Sequence, residues 1–240
     1  MSIREDHAEI AAMLQRAHDT QWTYAAVRER FEAERAPTYG EGMALWVPDY
    51  DYAHNLMLDA LGMYLPEGGH VLDLGAGTGR FTKMVLERYD RCRVTLVDFS
   101  ANMLQEASRK LAAYPSRYEL LRDDFFNDTL DFADRSLDCV VSVFALCHAR
   151  EIERYQRLYQ KIHRWLKPAG CFLCYDHVLG DAEPFTMLNV AGWRSFLQAS
   201  QSPESVQEGI VSTYQEDTPL SLRQHIDLLT RAGFAAADVL

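Results

Sequence analysis

From His70 onward the chain alternates between two textures. Short, nearly continuous apolar runs, HVLDL (70–74), RVTLVD (93–98), YELLR (118–122), LDCVVSVF (137–144) and GCFLCYD (170–176), read as strands. Between them lie stretches with apolar residues at helical spacing: FTKMVLERY, a segment begun by Ser100 that lines up Met103, Leu104, Ala107 and Leu111, and residues 151–166 with Tyr155, Leu158, Tyr159, Ile162 and Trp165 on one face. Apolar strands separated by helices predict a parallel sheet buried on both faces, an α/β fold of the Rossmann-like, doubly wound, mostly parallel type.

The flanks read differently. Residues 1–35 are rich in Ala, Glu, Arg and Gln without Gly or Pro, which predicts one or two helices. Ala36-Pro37 and TYGEGM break that pattern, and VPDYDY leads into a further helix, HNLMLDALGMYL, ended by PEGG. Residues 181–218 form a polar insertion with one apolar, aromatic helix, PFTMLNVAGWRSFL. Ser221 and Gln224 then make a capping box for a helix to Ala232, with Gly233 as its stop. The predicted organisation is an N-terminal helical cap over 1–52, an α/β core over 53–180, a helical lid insertion over 181–218, and a last helix and strand over 219–240. FAAADVL supplies a sixth strand and leaves nothing to pair with it as a seventh. Residues beyond Leu240 in the natural chain are therefore expected, or else direct pairing of 234–240 with strand five, or a strand supplied by a second copy in a homodimer.

Composition narrows the classes. In 240 residues with 48% hydrophobic content no run approaches the roughly 18 apolar residues of a membrane span, and charges sit where a signal peptide would be apolar, so a cytoplasmic protein is expected. Five cysteines make no disulfide framework, and Cys171 and Cys174 lie in a strand pattern that turns them to opposite faces, which disfavours a redox or metal pair. A formal charge of −11 without a Lys/Arg cluster disfavours nucleic acid as a partner.

The chemistry begins at VLDLGAGTGR (71–80). A strand, a glycine turn and a helix start present backbone N–H groups and admit a ligand closely. Gly75, Gly77 and Gly79 give G-x-G-x-G, with Arg80 where a dinucleotide fingerprint has its third glycine, and no Gly-Lys-Ser/Thr of a P-loop follows. Asp98 ends the next strand about 20 residues on, where a carboxylate reaches ribose hydroxyls. Asp123, Asp124 and Phe125 follow strand three at the same sheet edge. A ligand with a ribose and a base but no pyrophosphate fits all three.

With these motifs the sequence resembles the class I S-adenosylmethionine (SAM)-dependent methyltransferases. VLDLGAGTGRFT looks like their first motif, VTLVDFSANML their second, LLRDDF their third, LDCVVSVFALCH their fourth and LKPAGCFLCYD the strand that follows. Within that family, VPDYDYAHNLML and TPLSLRQHIDLLTRAGFAAADVL look like a subgroup that includes the bacterial carboxy-SAM synthase of tRNA wobble-uridine modification. The resemblance implies SAM as cofactor. It implies Tyr50 near its methionine end, Asp73 with Gly75, Ala76 and Gly77 along methionine and sulfonium, Asp98 on the ribose, Asp124 and Phe125 around the adenine, and Phe99 and Val143 as further cofactor-binding residues.

Displacement at a sulfonium needs alignment and exclusion of water, and a base only if the nucleophile arrives protonated. His148 and His177, with Asp176, follow strands four and five at the ligand-binding edge and are the catalytic candidates. VFALCH has neither proline nor amide where base N-methyltransferases carry Asn/Asp-Pro-Pro-Tyr/Phe, so a small acceptor is expected, aromatic or apolar. Trp22, Tyr24, Tyr39, Trp46, Tyr52, Trp193 and Phe196 are among the aromatic residues available to the cap and lid. Trp46 and Trp193 are candidate pocket walls, and Arg194 a candidate anchor for a substrate carboxylate. Arg194 also matters to two other readings. In the resemblance, the carboxy-SAM synthase holds a carboxylate with a lid arginine, and a SAM-binding protein without activity needs none.

Overall fold

The computed structural model describes residues 3–32 and 42–240; the break at Ala36-Pro37 and Tyr39 lie outside the described residues. Five strands, β1 (His70–Leu74), β2 (Arg93–Asp98), β3 (Tyr118–Arg122), β4 (Leu137–Val143) and β5 (Leu166–Tyr175), form one parallel sheet in the order β3-β2-β1-β4-β5. The order reverses direction between β1 and its neighbours β2 and β4. That switch point opens a crevice at the carboxyl ends of the strands, where the glycine turn sits.

Ten helices are described: α1 (Ile3–Asp19), α2 (Tyr24–Arg30), α3 (Met43–Trp46), α4 (Tyr50–Gly62), α5 (Arg80–Arg88), α6 (Ala101–Lys110), α7 (Ile152–Trp165), α8 (Glu183–Gln198), α9 (Pro203–Glu216) and α10 (Leu222–Ala232). One sheet face is covered by α7 and α10, whose Tyr155, Leu158, Ile162, Trp165 and Leu228 meet Leu72, Leu74 and Val140. On the other, α4, α5 and α6 set Leu61, Phe81, Val85 and Ala107 against Val71, Val94 and Val141. Both layers use the helical stripes and strand runs read in the sequence. The expected caps form as well: Ser100 accepts the Met103 N–H, Ser221 and Gln224 close a reciprocal capping box, and Gly233 ends α10 at φ 106°.

A third core is separate. Ile10, Met13 and Ala17 of α1 pack with Met187, Val190 and Leu197 of α8 and Val206, Ile210 and Val211 of α9. Segments some 170 residues apart thus make one helical cap over the sheet edge, where the sequence pattern gave a single helix in the insertion.

Two other expectations are corrected. Residues 234–240 form no strand: the run holds three alanines, poor strand formers, and Phe234 turns instead onto Phe172 and His163. Strand β5 begins at Leu166, four residues before the expected GCFLCYD, so Lys167-Pro168 lie inside it. Proline is tolerated there because β5 pairs only with β4 and the ladder is irregular between Leu137 and Cys139. Among the described residues no helix is long and apolar enough to cross a membrane.

Candidate active site

Two cavities meet at the carboxyl edge of the sheet. The smaller is a slot of about 40 Å³ walled by Gly75, Gly77, Asp98, Phe99, Phe125 and, from the N-terminal segment, Tyr24, Val27 and Phe31. The larger, about 1150 Å³, lies between the ends of β4 and β5 and the helical cap. Phe31, Phe144 and His148 line both, so they mark the passage from one to the other.

The slot grows directly from the glycine turn. Gly75, Gly77 and Gly79 have φ values of 70°, 53° and 74°, a region closed to most side chains. A Cβ on Gly75 would stand 2.3 Å from that of Ala145. The amides of Gly75 and Ala76 both point to the Val97 carbonyl, at 2.8 and 3.1 Å, which locks the turn to β2. The Gly77 amide donates to Asp98 Oδ2 and the Ser100 amide to Oδ1, each at 2.9 Å. Burial pushes the Asp98 carboxyl up to about 6 against those two bonds, so it holds its charge at neutral pH only while N–H or hydroxyl donors face it. Asp73 lies one layer deeper and accepts the Thr82 hydroxyl at 2.6 Å; burial lifts it to about 7. It braces the start of α5 and does not line the slot.

The residues expected at the adenine carry a lock. Asp124 accepts the Phe126 amide at 3.0 Å and the Tyr24 hydroxyl at 2.8 Å, and Arg28 stands 3.6 Å away. Burial first, then Asp124, pushes the Tyr24 phenol up, so Tyr24 remains a donor. Phe125 and Phe99 are slot walls, and the Arg28 guanidinium covers Phe99 at 5.1 Å. By its chemistry the slot fits an adenosyl group: a carboxylate for ribose hydroxyls, flat apolar walls, and side-chain-free glycines. Its present volume holds no more than a few waters because α2 lies across it. Val143 ends β4 behind the apolar layer, outside both cavities. Tyr50 also stays behind the wall: its ring stacks on Phe144 at 6.3 Å and sits beneath Arg80 at 5.1 Å.

The large cavity brings the two histidines to one carboxylate. His148 Nδ1 lies 3.0 Å from Asp217 Oδ1, an ion pair off the line of an ideal hydrogen bond, and His177 Nδ1 lies 3.4 Å from Oδ2. His177 Nε2 is 3.2 Å from the Tyr214 hydroxyl, so both nitrogens of His177 have partners. Asp176 accepts the amides of Leu146, Cys147 and His177, which pins the turn Leu146–Ala149 that carries His148. Burial alone would raise the Asp217 carboxyl, but His148 and then His177 outweigh it and hold it well below the ordinary carboxylate range. The reverse holds for His148: burial would lower it, and Asp217 lifts it above its ordinary value. Cys147 joins His148 and Asp217 within 4.8 Å, a compact cluster already balanced by the imidazole–carboxylate pair.

Trp46 and Trp193 line this cavity together, the Trp193 indole N–H donating to the Trp46 carbonyl at 2.6 Å. Gly209 lets them close: a Cβ there would stand 2.2 Å from the Trp46 ring. Arg194 does not reach the cavity. It is buried within the cap and pairs with Glu9 at 2.9 Å, tying α8 to α1. Phe196 and Tyr52 are also outside it, and Trp22 packs under the Arg30 guanidinium at 4.7 Å.

Sequence reasoning missed four residues here: Phe31, Phe144, Tyr214 and Asp217. Phe144 closes the predicted strand run 137–144 but in the structure follows β4; its φ of 50°, rare for an aromatic residue, places its ring between the cavities. Asp217 and Tyr214 are near the end of α9, and nothing local tells that this end folds onto His148.

Residues 71–170 match the methyltransferase-domain family. The carboxy-S-adenosyl-L-methionine synthase of Nautilia profundicola is 22% identical over 87% of this chain and 88% of its own length. The ubiquinone/menaquinone biosynthesis C-methyltransferase of Desulfotalea psychrophila is 32% identical over 46% of this chain, a match spanning under half, 42%, of that relative. Among solved structures, the geranyl diphosphate C-methyltransferase of Streptomyces coelicolor, in complex with Mg2+, geranyl diphosphate and S-adenosyl-L-homocysteine, superposes with a TM-score of 0.61 at 14% identity. That superposition covers 87% of this chain and 78% of the other. Residues 71–170 thus carry a methyltransferase domain of the SAM-dependent type, in a chain that is similar to carboxy-SAM synthases over most of its length.

Proposed function

We propose that the chain methylates a small molecule held in the large cavity, with His148 as the base for an acceptor that arrives protonated. The observation that carries this reading is the placement of His148: it lines both cavities, and Asp217 engages its Nδ1. SAM, when bound, supplies an electrophilic methyl group on a sulfonium. The chain's own tasks are then to orient the acceptor and shield it from water, which the aromatic walls and the cap do. His148 Nε2 takes the acceptor's proton while Asp217 holds the ring and balances the imidazolium. His177, with both nitrogens engaged, positions Asp217 and Tyr214 and touches no proton of the acceptor.

Incubation with SAM and a panel of small nucleophiles, followed by mass spectrometry, tests the reading: S-adenosylhomocysteine (SAH) and a product heavier by one CH2 are expected together. SAH bound without turnover on any acceptor would instead support a binding protein. The end-to-end likeness to carboxy-SAM synthases favours a second reading, formation of a modified SAM. The mass of the nucleoside carried through purification separates the two.

A further inference from the structure

The charges around the large cavity are lopsided. Among the described lining residues stand four carboxylates, Asp176, Glu208, Glu216 and Asp217, against one guanidinium, Arg30, and two imidazoles, His148 and His177, both set against Asp217. Arg30 is itself committed, 3.3 Å from Glu216 and stacked over Trp22. The rest of the wall is rich in rings: Phe31, Trp46, Phe144, Tyr175, Trp193 and Tyr214. A cleft with surplus negative charge and low-dielectric walls concentrates cations, and ring faces attract an ammonium group within about 6 Å of their centres. A carboxylate or phosphate acceptor would meet the same field as repulsion. A phenol would have to lose its proton beside Asp217, placing a second negative charge against a carboxylate that His148 and His177 already keep ionised.

From this we infer that the acceptor is an organic amine with an aromatic or extended apolar body, an assignment that rests on the methyl-transfer reading above. The ammonium form is drawn in by the carboxylates and the rings. It gives one proton to His148 Nε2 and becomes the neutral amine. The nitrogen lone pair then forms the N–C bond as the C–S bond breaks, its electron pair remaining on sulfur. The products are an N-methylammonium ion and neutral SAH, and His148 releases its proton to solvent. No further reactant is needed.

Three compounds with one body test this: tryptamine, indole-3-ethanol and indole-3-acetate, titrated by calorimetry into the SAH-loaded protein and then offered with SAM. Tryptamine should bind at least 10-fold more tightly than either of the others and be the one that gains a methyl group. Glu208 is exposed at the cavity rim, so Glu208→Lys leaves the buried framework intact; it should weaken tryptamine several-fold and tighten indole-3-acetate. No preference for tryptamine, including no binding by any of the three, overturns the amine assignment, as does a preference that Glu208→Lys leaves unchanged. Failure of SAH itself to bind would show in the first titration and would sink the methyl-transfer reading instead.

Discussion

The slot and the large cavity share three residues yet are built in opposite ways. The slot is made where strands end: the glycine turn after β1, Asp98 at the end of β2 and Phe125 just beyond β3 come to one edge because parallel pairing of neighbouring strands leaves no other place for them. Its parts are fixed by backbone bonds, Gly75 and Ala76 to Val97 and Gly77 to Asp98. The large cavity has only its floor on the sheet, at Phe144, Tyr175, Asp176 and His177. Its walls are helices from both flanks of the chain, held by their own apolar core and by pairs such as Trp193 with Trp46 and Arg194 with Glu9. A cofactor site can therefore stay constant while the acceptor site is rebuilt by exchanging helices that the sheet does not need.

The comparison breaks most severely at Gly77. In Gly77→Val a branched side chain meets φ 53° and the slot wall together, so SAH affinity should fall at least 100-fold by calorimetry, with circular dichroism confirming the fold. Affinity within a few-fold of the parent would remove the turn from the cofactor site. At the passage between the cavities, His148→Asn should lower kcat by about 100-fold while SAH affinity moves little, and His177→Asn should cost only a few-fold. Equal losses in both variants would contradict the division of roles between them.

The pH dependence sharpens the same point. His148 is a base only when neutral, and Asp217 lifts its pKa above the ordinary 6.5, so turnover should rise with pH through a midpoint above 6.5. Asp217→Asn removes the largest lifting charge and leaves burial opposed only by Asp176 and Glu216, so the rise should shift to lower pH at a reduced maximum rate. A midpoint that ignores Asp217 would point to another base. The smallest effect is expected at the lock across the slot. Tyr24→Phe deletes the hydroxyl that occupies Asp124, so SAH should associate several-fold faster. A slower association would mean that Tyr24 helps to hold the cofactor and does not block it.

How much of this was legible follows the same division. The strands, the caps at Ser100 and Ser221, the glycine turn and Asp98 each depend on residues within a few positions of one another, and the sequence showed them. Asp73, expected along the methionine, stands two residues before Gly75 and accepts the Thr82 hydroxyl, a contact that the strand pattern alone does not reveal. Arg194 was a candidate anchor for a substrate carboxylate because helical spacing does not reveal that α1, 185 residues away, brings Glu9 to it. Asp217 and Phe31 were silent for the same reason: each becomes functional only through a partner that the tertiary fold delivers. The expected sixth strand failed on composition, where three alanines offered a ladder too little side chain to pack.

The central claim is that two separately built compartments divide the labour, with SAM in the slot and the acceptor under the cap. Calorimetry of SAH binding to Asp98→Ala and Trp193→Ala, beside the parent protein, tests it most directly and needs no acceptor. Loss of the Asp98 carboxylate should weaken SAH by about 1.5–3 kcal/mol, the range for hydrogen bonds to a charged group, or roughly 10- to 150-fold. Trp193 touches only the large cavity, so its loss should leave SAH affinity within about twofold of the parent, well under 1 kcal/mol. SAH binding that collapses in Trp193→Ala and survives in Asp98→Ala would contradict the account.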